Sequence, residues 1–433
     1  MSISMFVRRS VGAVLLSAGV TAASSAQTAD TGGTRTPVSR VSMADAVSLA
    51  LAYNHDLRAQ RLNVDLSKAD EITAALKPNP VLTSTNENFP VFTPSELTRD
   101  NFVNNQNFVQ SVTYLFERGG KRKNRTLVAQ DATTVATRGA KDAERQLEFQ
   151  TKQIFISALL AKSTLDLARE NLKNFSNVVE VNRARVRAGD LAEADFYKIM
   201  LQQLQFEQDV TSGEVALVQA KAALRQSVGF QPIAEEFEVD GNLSFVKHAV
   251  TLDDLKREAL ATRPDLLAAH GGVKLAEDTK TLQLSNKARD ITGGVEYDRA
   301  GSLNAIGFSF SIDIPIHDRN QGNIARSQVA LRQAAETEAQ AVTTVVTDVL
   351  TAYAGLRASE KVLTLYESGY LDQAKQSLEI TTYVYQKGSA TLLDLLDAER
   401  TYRATQLAYR QALAAYMTVV EQINFVVGKQ VMQ

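Results

Sequence analysis

Two stretches of the chain follow one plan, and this duplication limits the possible folds more than any single motif. Val41-Ser42-Met43-Ala44-Asp45 leads to Asp56-Leu57, and Val250-Thr251-Leu252-Asp253-Asp254 leads to Asp265-Leu266, at an offset of 209. Asp45 falls on Asp254, Ala52 on Ala261, Asp56 on Asp265 and Glu87 on Glu296. Further along the offset becomes 199, with Gly189 on Gly388, Asp195 on Asp394, Val228 on Val427 and Gly229 on Gly428. Matches of Ala and Leu are cheap in such a composition, so the Gly and Asp matches carry the repeat. The second copy is shorter by ten residues, a difference assigned to a longer first inter-strand loop.

Each copy reads as helix, strand, strand, very long helix, turn, long helix. In the first copy these fall at 42–77, 80–88, 107–117, 121–187 and 190–229; in the second at 251–288, 290–297, 306–315, 322–386 and 390–428. Pro264 has to break the first helix of the second copy, because it lacks an amide proton and clashes with the preceding turn. No proline occurs between Pro94 and Pro232 or after Pro315, which leaves room for long helices. Leu147, Ile154, Ala161, Ala168 and Phe175 repeat at seven, and so do Thr151, Ala158, Leu165, Leu172 and Val179. In the last helix Leu395, Tyr402, Tyr409, Tyr416 and Ile423 do the same. Such rows mark seams between coiled helices, with an ordinary bundle core as the alternative. Helices above ~60 residues favour the coiled coil over that alternative.

The strands alternate. Ile306, Phe308, Phe310, Ile312 and Ile314 share one face, and Gly307, Ser309, Ser311 and Asp313 share the other. That is apolar-out, polar-in patterning close to the ~9–11 residues a tilted strand needs to cross a bilayer. Phe108, Val112, Tyr114 and Phe116 repeat the theme, interrupted by Gln110. A soluble two-hairpin cap is the alternative. Four strands cannot close a membrane barrel, which needs about eight, and an open edge in lipid strands backbone groups at several kcal/mol each. Three pooled chains would supply about twelve.

A helix of about 65 residues rises ~100 Å, and the return helix of about 40 covers only ~60 Å. The first helix of the other copy, stacked end to end with it, would supply the remaining ~57 Å. Three chains so built would wall a tube.

Composition removes other functions. The net charge of −2 offers no field for nucleic acid, and zero cysteines exclude disulfides, thiolate metal sites and cysteine nucleophiles. His55, His248, His270 and His317 are scattered, so no metal site and no cofactor is expected. Gly119-Gly120-Lys121 lacks the spacing of a phosphate loop and is read instead as the barrel-to-helix junction. No catalytic constellation is present in the sequence, which reads as a non-enzyme. Arg8-Arg9, the apolar run 11–23, and Ser24 and Ala26 ahead of Gln27 predict a cleaved signal peptide over 1–26. The organisation is then an N-terminal extension at 27–41, a first repeat at 42–229 with its hairpin at 80–117, and an equatorial linker at 230–250. A second repeat follows at 251–428 with its hairpin at 290–315, then a tail at 429–433.

These residues resemble the outer-membrane efflux protein (TolC) family over nearly all of the mature chain. The most specific part is 385–400, from Tyr385-Gln386-Lys387-Gly388 through Thr391 to Asp394-Leu395-Leu396-Asp397. Lys77-Pro78-Asn79-Pro80-Val81-Leu82, Glu87-Asn88, Glu117-Arg118-Gly119-Gly120-Lys121-Arg122 and the run 314–322 are similar to the heavy-metal, CzcC-like branch. The resemblance implies a mainly helical, duplicated chain whose homotrimer forms a 12-stranded barrel in outer-membrane lipid and a coiled-coil periplasmic tunnel. It implies as partners a periplasmic adaptor protein and an inner-membrane RND transporter, with heavy-metal cations as cargo. It places a tip gate at Asp394, Asp397, Tyr385 and Asp195, where carboxylates would ring the axis, although the family's gating arginine is Ala390 here. Helix stabilisation by an acid near a helix start is the plainer reading of Asp394 and Asp397. Gly189 and Gly388 are read as tip turns. Arg183, Arg185 and Arg187 are candidate adaptor contacts or simply a solvated helix end. A drug, solvent or type I protein-export channel keeps the fold and changes the cargo. A periplasmic coiled-coil scaffold or adaptor is the reading from another class.

Overall fold

The computed structural model describes residues 38–87, 92–96 and 98–432; the signal segment 1–26, most of the extension 27–41, and Asn88 lie outside them. A short strand β1 (Val38–Val41) precedes helices α1 (Met43–Tyr53) and α2 (His55–Ala75). Strand β2 (Val81–Glu87), helix α3 (Arg99–Asn104) and strand β3 (Asn107–Phe116) follow, then α4 (Lys121–Ala188) and α5 (Glu193–Ser227). Strand β4 (Ile233–Val239) leads into α6 (Leu252–Thr262), α7 (Pro264–Ser285), β5 (Ile291–Ala300) and β6 (Leu303–Ile312). The chain ends with α8 (Gln321–Leu365), α9 (Leu371–Gln386) and α10 (Leu392–Val427).

The duplication extends to the helix caps. Ser42 accepts from the Asp45 amide and Asp45 reaches back to Ser42, a reciprocal box satisfying two amides that a helix start leaves without partners. Thr251, at the same place in the second copy, accepts from the Asp254 amide. The first helix of each copy is broken. Pro264 begins α7 at its first turn, where a missing amide proton costs nothing. In the first copy the single helix expected over 42–77 is two helices, because Asn54 turns extended (ψ 125°) and its side chain caps Leu57. Asn54 is the repeat partner of Arg263, the residue before Pro264, so both copies break at one place by different chemistry.

Four strands form one antiparallel sheet in the order β2-β3-β5-β6. Leu82, Val112, Val295 and Phe308 lie side by side across it, and Thr83, Ser111, Glu296 and Gly307 form the neighbouring row on the other face. The apolar face is open to its surroundings, with Phe308 84% and Phe310 69% exposed. The last strand runs three residues earlier than 306–315, so Ile314 lies beyond it. The cause is the turn: Gly301, at φ 61°, lets β5 and β6 pair right up to Ala300 and Leu303. The first hairpin has no such turn and carries α3 in its connection.

Helix α4 has 68 residues, ~100 Å of continuous rise. It packs against α2 and α7 in one part and α5 and α10 in the other, while α8 packs on α7 and α10. The heptad residues Thr151, Ala158, Leu165, Ala168, Phe175 and Val179 are buried along it. Each return helix stacks on the first helix of its own copy, not of the other copy as the lengths alone suggested. The bonds at the helix ends give the reason. At the end of α5 the Ser227 carbonyl, left open by the helix, accepts from Asn54 Nδ2 at 2.9 Å. At the end of α10 the Val427 carbonyl accepts from Thr262 Oγ1 at 2.5 Å and the Val426 carbonyl from Arg263 Nη1 at 3.5 Å. The duplicated helix break is therefore the donor that seals the duplicated helix end.

Two apolar clusters meet at this level. Val41, Phe155, Leu159, Leu224, Ile233 and Phe237 form one, with β1 and β4 paired in parallel, so the linker 230–250 contributes a strand to the core. Leu255, Leu266, Val349, Leu356, Tyr416 and Ile423 form the other. Arg263 is 3% exposed and bonded to Asp265 and Asp348. The helix expected over 322–386 is interrupted by a π-helical turn at Tyr366–Tyr370, where Gly369 adopts φ 114°. Helix α4 has no such interruption.

Candidate functional site: the helical tip

The ends of α4 and α9 are built alike. The Gly189 amide donates to the Val186 carbonyl at 3.0 Å and the Asp190 amide to Arg185 at 2.9 Å; the Gly388 amide donates to Tyr385 and the Ser389 amide to Val384, both at 3.0 Å. Gly189 and Gly388 have φ 83° and 76°, the left-handed backbone that closes this C-terminal motif. Below the turns Phe175, Val179, Ile199 and Phe206 are buried, with the Phe175 and Phe206 rings stacked at 4.6 Å.

Tyr385 bridges the two hairpins. It is 6% exposed and its hydroxyl donates to Asn182 Oδ1 at 2.7 Å, linking α9 to α4. Asn182, 1% exposed, also donates through Nδ2 to the Val178 carbonyl at 2.8 Å. The Arg185 guanidinium lies 5.3 Å from the Tyr385 ring centroid, and its buried Nη1 has no hydrogen-bond partner among the described residues. Burial pushes the Tyr385 hydroxyl above its ordinary pKa; Arg185 opposes this and the Asp195 charge adds to it. Tyr385, Arg185 and Asp195 thus share one electrostatic environment.

The other predicted residues make no hydrogen bond to that link, and of them Asp195 acts on Tyr385 through its charge. Asp394 is the N3 member of the capping box of α10, accepting from the Thr391 amide at 2.8 Å and the Thr391 hydroxyl at 2.6 Å. These bonds hold its carboxyl below the usual range. Asp397 pairs with Arg400 at 2.7 Å and Asp195 with Lys198 at 2.8 Å, both exposed. Arg183 pairs with Glu180 at 2.7 Å and approaches the Phe196 ring, while Arg187 is exposed in the last turn of α4. Sequence reasoning missed Asn182. The signal was there, since 182 is the next place in the row that ends at Phe175, and a polar residue in an apolar seam specifies a partner.

Among the described residues no group of three or more His, Cys, Asp or Glu is placed to hold a metal ion, and no helix is long and apolar enough to cross a membrane. His270 pairs with Glu338. Gly119 and Gly120 adopt φ 70° and 73° where β3 becomes α4.

A duplicated chain with a four-stranded sheet, an outward apolar face and helices of this length defines a class, the subunit of an outer-membrane channel with a periplasmic helical body. Residues 255–429 match the family profile "Outer membrane efflux protein". The cobalt-zinc-cadmium resistance protein CzcC of Cupriavidus metallidurans is 23% identical over 411 residues, 92% of this chain and 94% of that protein. The probable outer membrane lipoprotein SilC of Salmonella typhimurium is 27% identical over 276 residues, 59% of this chain and 57% of that protein. The crystal structure of CusC superposes with a TM-score of 0.75 at 18% identity, covering 90% of this chain and 94% of that one. The second repeat thus carries the match to the outer membrane efflux protein family, and the chain is an efflux-channel subunit of the outer membrane.

Proposed function

We propose that three copies of this chain form one conduit, a twelve-stranded barrel continued by a helical tunnel, and that it exports heavy-metal cations handed on by a periplasmic adaptor and an inner-membrane RND pump. The observation that carries the reading is the sheet. Both β2 and β6 are edge strands within the chain, and in lipid each unpaired backbone group costs several kcal/mol, roughly. Pairing β6 of one copy with β2 of the next removes every edge. The cation cargo rests on the likeness to CzcC across nearly the whole chain. An adaptor would meet the tip, where Arg187 is exposed and Arg183 is held by a surface pair with Glu180. Asp394, Asp397, Asp195 and Tyr385 form the gate in this reading, with Tyr385 as the latch and the carboxylates as a cation-favouring mouth. The unpaired Arg185 Nη1 supports a latch completed by a second copy, since a buried donor left alone costs ~1–3 kcal/mol.

Electron microscopy of the purified protein tests the assembly, and a monomeric, detergent-free particle would overturn it. Deletion of the gene tests the cargo. Increased sensitivity to cobalt, zinc or cadmium supports the metal reading, whereas sensitivity confined to drugs or solvents replaces it.

A further inference from the structure

The chain carries a net charge of −2, yet six cations lie close together in sequence or space where the sheet meets the helices. Lys77, Arg118, Lys121, Arg122, Lys123 and Arg125 gather there against two carboxylates, Glu117 and Asp290. The carboxylates are already engaged: Lys121 pairs with Asp290 at 2.8 Å, the Arg118 amide donates to the same Asp290, and Arg125 pairs with Glu117 at 2.7 Å. Lys77, Arg122 and Lys123 are exposed and have no ion-pair partner among the described residues. These three line a cleft of about 740 Å³ whose opposite wall is Tyr114, Leu115 and Phe116. Tyr114 and Phe116, in edge-to-face contact at 4.9 Å, lie on the strand face that carries Val112 and Phe108. The cleft therefore opens on the apolar surface of the sheet and is rimmed by unneutralised charge.

We propose that this cleft is a binding site for an anionic phospholipid of the periplasmic leaflet. Lys77, Arg122 and Lys123 take the headgroup phosphate, and Tyr114 and Phe116 take the first part of an acyl chain. The inference rests on the outer-membrane reading above. It commits to a lipid and not to free phosphate, because the aromatic wall is continuous with the membrane-facing surface and only a lipid uses both halves. Paired Lys121 and Arg125 hold the junction together, and the unpaired three provide the recognition. Such a site would fix the depth at which the barrel sits.

The test uses the full-length oligomer in phosphatidylcholine nanodiscs doped with phosphatidylglycerol. Native mass spectrometry counts the lipids retained after release. The wild type should keep phosphatidylglycerol over phosphatidylcholine, with a preference that declines as salt rises. K77Q/R122Q/K123Q should lose that preference by on the order of fivefold per cation removed. K173Q/K247Q/K361Q, which removes equal charge from exposed sites elsewhere, should keep it. Equal retention of both lipids by the wild type overturns the site, as does an unchanged preference in the cleft variant or full displacement of phosphatidylglycerol by inorganic phosphate. Failure of the wild type to enter neutral nanodiscs at all would instead overturn the channel reading.

Discussion

Replacing Tyr385 with Phe tests the buried hydroxyl bond that ties α9 to α4. The phenyl ring stays beside Arg185, while the hydroxyl that donates to Asn182 Oδ1 and faces Arg185 is lost. Asn182 is 1% exposed, so water cannot take over, and its Nδ2 remains on Val178. A buried acceptor stranded in this way costs ~1–3 kcal/mol, against ~0.5–1.5 kcal/mol for the bond itself. If the bond holds the tip shut, Y385F raises the open-to-closed ratio in planar bilayers by roughly five- to a hundredfold, at tenfold per ~1.4 kcal/mol. Adding Asn182→Leu removes the stranded acceptor as well, so the double variant should lose less than the two single variants together, with a coupling of ~1–2 kcal/mol. Alkali supplies an independent arm. The folded tip holds the Tyr385 proton more tightly than the unfolded chain does, so its contribution is complete below pH ~10 and is lost as pH rises through the raised folded value. Y385F should not show that loss. Closed-state lifetimes equal to wild type in Y385F, or strict additivity in the double variant, would refute the latch.

Four further outcomes are expected. Asn54→Ala removes the cap of α2 and the donor to Ser227 together, and should lower unfolding stability by ~1–2 kcal/mol in denaturant titration. Arg263→Met removes the shared partner of Asp265 and Asp348 at the level where the repeats join; with both carboxylates about a third exposed and Arg145 still 3.6 Å from Asp265, it should cost ~1–3 kcal/mol, read as a fall in the melting temperature of the oligomer. Tyr416, with its pKa raised to about 12 by burial and then by Glu360, should destabilise the fold as pH rises between ~10 and about 12; Tyr416→Phe removes that alkaline step in a circular-dichroism titration. Asp394→Ala should fray the start of α10, measured by faster amide exchange at residues 391–397. In the wild type the same fraying should appear as pH falls below ~3.9 through the depressed folded pKa of Asp394.

The parts of this fold that could be read beforehand are those set by periodicity. Seven-residue rows and the absence of proline require long helices, and alternation in 306–312 requires a two-faced strand, since a period acts on every residue of an element. The parts that could not are single-residue decisions. Asn54 is an ordinary residue inside a helical pattern until the Ser227 carbonyl presents itself, and its role becomes visible only when the repeat sets it on Arg263 beside Pro264. Gly369 is tolerated inside many helices, so composition alone does not show that it leaves the helical region. Ile314 continues the alternation past the end of β6 because the strand limit is decided by the turn at Gly301, thirteen residues away, and not by the pattern itself. The tip follows the same rule. Asp394 was conspicuous as one acid of a spaced pair, yet its carboxylate is occupied with Thr391 in the α10 capping box. Asn182 was inconspicuous, yet it holds the other half of the link to Tyr385. What separates the two is burial. An exposed acid can satisfy itself locally at a helix start, whereas an amide enclosed in an apolar seam must find its partner across the interface, which makes the seam the better place to look for the latch.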